Sequence, residues 1–456
     1  MSATHKWNRR EFLRMTVVGA AGMSLGGCQG TMKSVQRVPR QPNIVFIIAD
    51  DLGWKDIGYH GSEIKTPNLD RLASQGRIFE RHYVMPTCTP TRVGLMSGRY
   101  PSRFGVLSPA YGKIYDDDTI TLPQALKHSG YSTHISGKWH MGSPPEFTPL
   151  KYGFTSSYGY FHGQIDPYTH HYKTGVKSWH RNDEYLDEEG HATDLITQKA
   201  IRIIEEKHNR PFFLYVAYSV PHYPLKEPDK WLSMYPNLKE ESRKWFAASV
   251  THMDDGIGRI VKALDDTNLR KNTLIVFVSD NGGQKSWQSN SQYQGRYAEL
   301  PHTVLGNNLP LRGWKGDCYE GGIRVPGFVN WPGVLSAGRI DPPVHIVDWM
   351  PTFCHLADYK PKKDLQWDGV NLWPDIIGNR GSELERIMYW KTPGASAVRK
   401  GSWKLIVPNK GDKSELFNLK TDPYEKNNLA EKDSQRTTEL KTLLEQIARS
   451  DRERKS

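Results

Sequence analysis

Four short apolar runs, mostly continuous rather than alternating, constrain the fold of this chain more than any other feature. They are Asn43–Ala49, Tyr131–Ser136, Phe212–Ser219 and Leu274–Ser279. Continuous runs of this length mark strands buried on both faces, and helical patterns separate them. The pattern predicts an α/β fold with a central, largely parallel sheet flanked by helices. Thr66-Pro67-Asn68-Leu69 opens one helix with an N-cap residue and a first-turn proline, and Gly76 closes it. Longer helices are expected over Asp194–Lys207 and Arg243–Asp265. Each run gives way to a polar cluster: Asp50-Asp51, Gly137-Lys138-Trp139-His140, Pro221-His222 and Asp280-Asn281-Gly282-Gly283. Ligands of open α/β sheets bind outside the carboxyl ends of the strands. Polar clusters at all these ends therefore predict one shared site.

The N-terminus reads as an address. Asn8-Arg9-Arg10-Glu11-Phe12-Leu13-Arg14 resembles a twin-arginine export signal and precedes the apolar run Met15–Leu25. That run is shorter than the roughly 20 residues a spanning helix needs. Leu25-Gly26-Gly27-Cys28 resembles a bacterial lipobox, which predicts a signal peptide over 1–27 and a lipid anchor on Cys28. The alternative is an ordinary signal peptide cut elsewhere in the small-residue run. A polar linker occupies 28–41, and the expected location is the periplasm or the outer cell surface. Of the remaining cysteines, Cys318 and Cys354 could pair in an exported protein or stay as buried thiols. The net charge of +11 falls to +8 without the signal, because Lys6, Arg9, Arg10 and Arg14 oppose only Glu11 there. A basic exported protein suits a polyanionic substrate. Nucleic acid is disfavoured, since no binding motif and no dense basic stripe are present.

From about Arg386 the pattern changes to short strands at Met388–Trp390, Ala397–Arg399, Lys404–Val407 and Glu415–Phe417, with turns at Lys400-Gly401 and Lys410-Gly411. A helix over Ser434–Arg449 closes the chain. The expected division is a catalytic domain over 42–385 and a small C-terminal subdomain over 386–456.

Cys88-Thr89-Pro90-Thr91-Arg92 reads Cys-x-Pro-x-Arg and continues into Val93-Gly94-Leu95-Met96-Ser97-Gly98-Arg99. Taken alone, Cys88 could be a buried free cysteine ahead of a helix. The stretch resembles the signature of type I sulfatases, whose cysteine is oxidised to formylglycine by a maturase. Gly137-Lys138-Trp139-His140, Val220-Pro221-His222-Tyr223-Pro224, Leu416-Phe417-Asn418-Leu419 and Thr421–Glu425 match the same family. The resemblance runs from Asn43 to the C-terminus. It implies an alkaline-phosphatase-like large domain and a C-terminal antiparallel sheet packed with one helix.

The resemblance also implies a mechanism. Asp50, Asp51, Asp280 and Asn281 offer hard oxygen ligands, joined by an oxygen of the modified Cys88. Such a set suits Ca²⁺, which takes roughly 6–8 oxygens, with Mg²⁺ second. Zinc is disfavoured, because no His or Cys thiolate joins that set. The residue-level alternative for an Asp pair after a strand is a helix cap or turn. One hydroxyl of the hydrated aldehyde would attack sulfur. His222 with Lys315 would protonate the leaving oxygen. His140 would then take a proton from the second hydroxyl as sulfate departs. Lys138 and Arg92 would offset the developing charge. Most of the 17 histidines must be structural. His140 and His222 stand apart because each lies at a strand end within a family motif.

Gly153–Gly163, Asp166–Tyr172 and Asn307–Gly313 are similar to the arylsulfatase B group, which removes 4-sulfate from terminal N-acetylgalactosamine. On that basis His170, His171 and Arg312 are candidates for a sugar subsite, though loop His and Tyr residues often serve packing alone. The long stretch Gln284–Asn307 departs from that group; its Trp287, Tyr293 and Tyr297 could stack on sugars or anchor the loop. The expected activity is exo-acting hydrolysis of sulfate esters on galactose- or N-acetylgalactosamine-type units. The rivals are a phosphohydrolase of the same superfamily and a non-catalytic sulfated-glycan-binding lipoprotein. Relative rates on aryl sulfate and aryl phosphate separate the first, and binding without turnover identifies the second.

Overall fold

The computed structural model describes residues 41–453, apart from 145, 174, 288–303, 379–384 and 412. The expected signal peptide, Cys28, Tyr293 and Tyr297 lie outside the described residues.

Five parallel strands form the centre of a ten-stranded sheet, in the order Thr273–Ser279, Asn43–Ala49, Phe212–Ala217, Ser132–Lys138 and Ser156–Tyr160. Four of the five carry the predicted apolar runs, and those four are buried along their whole length. The fifth, Ser-Ser-Tyr-Gly-Tyr, has no apolar run to mark it. Antiparallel partners extend the sheet on each side: Gly327–Asn330 beside Thr273–Ser279, and Trp179–Arg181 beside Ser156–Tyr160. The strand expected to end at Ser136 continues through Gly137 to Lys138. Gly137 has φ +120°, and a Cβ there would collide with the Ala217 carbonyl of the neighbouring strand. Lys138 therefore sits inside the sheet rather than on a loop after it.

The helix Pro67–Ser74 forms where expected, but Thr66 does not cap it through its side chain. Its amide donors are instead met by Asp254 of the long helix Glu241–Asp266, at 3.1 Å from Asn68 N and 2.7 Å from Leu69 N. A tertiary neighbour thus supplies the cap. The other long helix spans Ala192–Glu205.

The C-terminal strands Ile387–Lys391, Ala395–Lys400, Trp403–Pro408 and Glu415–Asn418 form a separate antiparallel sheet, and the helix Ser434–Ala448 comes after them. The apolar face of this sheet packs Met388, Trp390, Ile406 and Phe417 against Tyr83, Met85 and Ile323. A buried ion cluster joins the two layers: Lys404 Nζ lies 3.0 Å from Glu320 and 2.8 Å from Glu425. Cys318 and Cys354 are both buried free thiols, so the disulfide alternative does not hold.

A second buried polar cluster ties the segment after His222 to the helices beneath. His252 Nδ1 lies 2.6 Å from Glu227, and its Nε2 lies 3.3 Å from Asp194. His191 Nε2 stands 3.5 Å from the other oxygen of Glu227. These ligand types lie close enough to suggest a metal. However, two atoms bound to one zinc at about 2 Å each stand near 3 Å apart or more. The 2.6 Å contact is a hydrogen bond, so the set is an imidazolium held between carboxylates. Burial alone would lower the His252 pKa, but Asp194 and Glu227 raise it to about 9. A raised pKa stabilises the fold below the unfolded histidine value of about 6.5 and ceases to do so as pH climbs through about 9. His252→Gln is therefore expected to lose about 3 kcal/mol at pH 6, with the gap from wild type shrinking between pH 6.5 and 9. Thermal melts of both proteins across that range check this; a constant gap would contradict it.

Candidate active site

The helix Cys88–Ser97 is buried along its whole length and begins at Cys88 itself. Thr91 fixes its entry, its hydroxyl accepting from Met85 N at 2.9 Å and donating to Met85 O at 3.1 Å. Cys88 is thus presented in the first turn, where unpaired amide donors and the helix dipole favour an anion. Its thiol meets Asp50 Oδ1 at 3.4 Å. Burial pushes the thiol pKa up, and Asp280 and Asp50 push it further against Lys138 and Lys315. An unmodified Cys88 is consequently a protonated thiol and a poor nucleophile.

Around it stand three buried carboxylates and three cations. Lys138 Nζ contacts Asp50 Oδ2 at 2.5 Å. Lys315 Nζ reaches both oxygens of Asp51, at 2.7 and 2.8 Å. Arg92 Nη2 meets Asp280 Oδ2 at 2.8 Å, while its Nη1 donates to Lys138 O and to the Tyr215 hydroxyl, each at 3.1 Å. Asp51 adopts φ +71°, a left-handed turn that aims its amide at Asp280 Oδ1, 3.2 Å away. Burial works against the Asp51 charge, but Lys315 and His222 hold its pKa at about 2. Asp280 goes the other way: burial and the charge of Asp50 lift it to about 6, against the pull of Arg92 and Lys138.

His222 Nε2 lies 3.7 Å from Asp51 Oδ2, and its Nδ1 donates to the Tyr223 carbonyl. Burial and Lys315 depress the His222 pKa to about 3. Trp287 borders this histidine, stacked on Tyr223 at 4.9 Å and edge-on to His222 at 6.1 Å. His140 sits at φ +57°, and its carbonyl accepts from Thr89 on the Cys88 helix at 3.1 Å. Burial, then Lys138 and Arg92, keep its imidazole well below the usual pKa and hence neutral. Gly163 faces the ring, and a Cβ there would overlap His140 Nε2.

The donor set fits a hard divalent cation. Asp50 and Asp51 gather at the strand ends with Asp280 and Asn281, and buried Asn281 Oδ1 has no hydrogen-bond partner among the described residues. That orphaned carbonyl is an acceptor awaiting a cation. One expectation needs correcting on geometry. His222 does come within ligand distance of Asp50, Asp51 and Cys88, so the absence of a neighbouring histidine no longer argues against zinc. The remainder of the set is oxygen donors, as a hard divalent cation requires.

The residues expected at the strand ends and on the helix therefore meet, with Lys315, in one buried network, and His140 stands alongside. The three subsite candidates are engaged elsewhere. His170 is buried, stacked on Trp179 at 4.5 Å and bonded to the Gly190 carbonyl at 3.0 Å. His171 pairs in a two-stranded ribbon with Lys177. Arg312 bonds Glu415, the Glu425 carbonyl and the Tyr319 hydroxyl, each at 3.0 Å. Three tyrosines that are not among the site candidates border the site, although Tyr160 lies in the Gly153–Gly163 stretch. Tyr215 holds Arg92; buried Tyr160 has a hydroxyl with no hydrogen-bond partner among the described residues and feels the charge of Asp50; Tyr111 Oη lies 3.5 Å from His140 Nε2. The first lies in a continuous apolar run, where alternation gives no clue to which side chains face a ligand.

Comparison with known proteins places this geometry. The sulfatase family profile matches residues 42–359, and that described as N-sulphoglucosamine sulphohydrolase, C-terminal, matches 314–453. Arylsulfatase J of Mus musculus is 37% identical over 406 residues, covering 81% of this chain and 65% of its own length. N-acetylgalactosamine-6-sulfatase of Mus musculus is 32% identical over 413 residues, covering 84% of the chain and 75% of that protein. The crystal structure of Ps i-CgsB in complex with k-i-k-neocarrahexaose shares 32% identity and a TM-score of 0.82 over 91% of this chain and 94% of that one. Matched across most of its length in sequence and in fold, the chain belongs to the sulfatase family of sulfuric ester hydrolases.

Proposed function

We propose that the protein hydrolyses sulfate esters on galactose- or N-acetylgalactosamine-type units of sulfated glycans, acting from the chain end, with position 88 carrying formylglycine. The observation that carries this reading is the placement of Cys88: a thiol held protonated by burial and carboxylates, yet aimed into the charged cluster. The names of the N-acetylgalactosamine-6-sulfatase relative and the neocarrahexaose-bound neighbour support the sugar class. The lipobox-like Leu25-Gly26-Gly27-Cys28 supports a lipid-anchored, exported enzyme that meets a maturase before use.

The hydrated aldehyde supplies two hydroxyls on one carbon, one to attack sulfur and one to expel sulfate. A divalent cation, held by Asp50, Asp51, Asp280 and Asn281, would acidify the attacking hydroxyl and polarise the sulfate. Arg92 and Lys138 present positive charge to the same place, pre-oriented by Asp280 and Asp50. His222 and Lys315 both lean on Asp51. With the imidazole depressed, Lys315 is the member of that pair protonated at neutral pH, and an incoming sulfate charge favours protonating His222 as well. Together they deliver a proton to the departing sugar oxygen. Neutral His140, its buried Nδ1 without a hydrogen-bond partner among the described residues, accepts the proton released when the aldehyde re-forms.

Mass spectrometry of the tryptic peptide His82–Arg92 from its native host is expected to show formylglycine at residue 88, and Cys88→Ala to abolish turnover; active protein with only cysteine there would refute the hydrate mechanism. Lys315→Ala should slow sugar sulfates by on the order of 100-fold or more. It should slow nitrophenyl sulfate far less, since that phenolate leaves without a proton; equal losses would remove the acid role. Chelation should stop activity and Ca²⁺ restore it, whereas recovery with zinc alone would reverse the metal assignment. Release of sulfate from none of a panel of galactose-configured sulfates would eliminate the sugar assignment.

A further inference from the structure

The two ring nitrogens of His140 stand in different surroundings. Nδ1 is buried and has no hydrogen-bond partner among the described residues. Nε2 has one, the Tyr111 hydroxyl at 3.5 Å. Gly163 closes in the same nitrogen: a Cβ there would stand 2.4 Å from Nε2 and 2.6 Å from Cε1. The backbone fixes where the ring starts, since His140 N donates to the Phe161 carbonyl at 3.0 Å and the His140 carbonyl accepts from Thr89 at 3.1 Å.

A neutral imidazole has one N–H and one lone pair, and the hydrogen bond made by one nitrogen decides which of them carries the proton. Burial, with Lys138 and Arg92, keeps His140 neutral. A proton on Nδ1 would be a buried donor without an acceptor, whereas a proton on Nε2 has the Tyr111 oxygen to receive it. Tyr111 is 38% exposed, so its own hydroxyl hydrogen can turn to water and leave an oxygen lone pair toward Nε2. The 3.5 Å separation is long, as catalytic contacts are before the reacting groups are in place. Neighbours set the Tyr111 ring. His162 lies 6.0 Å from it, stacked in turn on Tyr172 at 4.5 Å and bonded to Ser178 Oγ at 2.8 Å.

We propose that Tyr111 is a positioning residue for the expulsion of sulfate: it holds the His140 proton on Nε2 and so keeps Nδ1 as the base. The proposal rests on the formylglycine reading above. In that step Nδ1 takes the proton of the second hydroxyl, and the freed electron pair closes the carbonyl. The carbon–oxygen bond to sulfate breaks, and its electron pair leaves on sulfate. The opposite tautomer would meet the hydroxyl with an N–H and could not accept its proton. Tyr111 takes no part in the attack on sulfur, so its loss slows one half of the cycle alone.

Tyr111→Phe keeps the ring against His162 and removes only the oxygen. With nitrophenyl sulfate the phenolate leaves without a proton, so attack is fast and the expulsion of sulfate limits kcat. On this ester the full-length variant is expected to lose on the order of ten-fold in kcat with KM falling in parallel, so that kcat/KM holds. A merely structural defect lowers kcat/KM as well; that result, or an unchanged kcat, would overturn the proposal. Nitrogen NMR of wild type and variant carrying isotope-labelled histidine reads the tautomer directly, with His140→Gln marking the His140 signals. Wild type is expected to show Nε2 protonated and Nδ1 bare, and Tyr111→Phe to gain the Nδ1–H form. A wild-type proton on Nδ1 would sink the assignment. The two readings remain separable: wild type inert on every sulfate ester would refute the proposed function, whereas the tautomer is read without turnover.

Discussion

The neutralisation of three buried carboxylates by three cations, two of them fully buried and the third, Lys315, partly so, is the constraint on which the rest of this structure depends. Each ion taken from water costs several kcal/mol, and pairing repays that cost only with close geometry and further hydrogen bonds. Asp50, Asp51 and Asp280 are matched one to one with Lys138, Lys315 and Arg92. These partners come from strand ends, a helix and a distant loop, so the pairing can exist only when the whole sheet is assembled. Removing one partner would strand a charge in the interior, which makes each residue structurally necessary.

This balance also explains how the cluster can favour an anion. The six groups are formally neutral together. A divalent cation on the oxygen donors would leave an excess of two positive charges. A sulfate ester carries one negative charge, and a deprotonated attacking hydroxyl would add a second as it closes on sulfur. The match is closest in the transition state rather than in the bound substrate, which is where electrostatic stabilisation accelerates a reaction. The pKa of Asp280, lifted to about 6, reports the crowding of negative charge that a cation would relieve.

Much of this was legible in the sequence because the site is built at strand ends. Continuous apolar runs mark buried strands, and the polar residues just beyond them must converge; Asp50, His222 and Asp280 are found that way. The signal weakens where burial and polarity coincide. Ser156–Tyr160 is a central strand without an apolar run, and it carries Tyr160 toward the charges. Lys138 was expected just beyond a strand and lies within one, because Gly137 allows a close approach that composition does not announce. The cap of Pro67–Ser74 comes from Asp254, far along the chain, where local pattern has no reach. Cys318 and Cys354 are two thiols in separate apolar surroundings, a separation that cysteine spacing could not reveal.

Arg312 shows how the C-terminal sheet braces the charged cluster without touching it. Its guanidinium joins Glu415 and the Glu425 carbonyl of that region to Tyr319, and lies over the Tyr319 ring at 4.0 Å. Three residues on, Lys315 N donates to the Gly283 carbonyl, and Asn308 holds both Gly283 and Gly313. The turn that delivers Lys315 to Asp51 is thus clamped from two sides, by the Asp280–Gly283 loop and by the C-terminal sheet. Glu425 also accepts from Glu320 N and binds Lys404, so one residue of the C-terminal region fixes both the start of the helix Glu320–Ile323 and the sheet itself. A residue with these ties acts first as a brace. The small sheet at the end of the chain is therefore part of what builds the site: without it, the turn that brings Lys315 to Asp51 loses one of its two clamps.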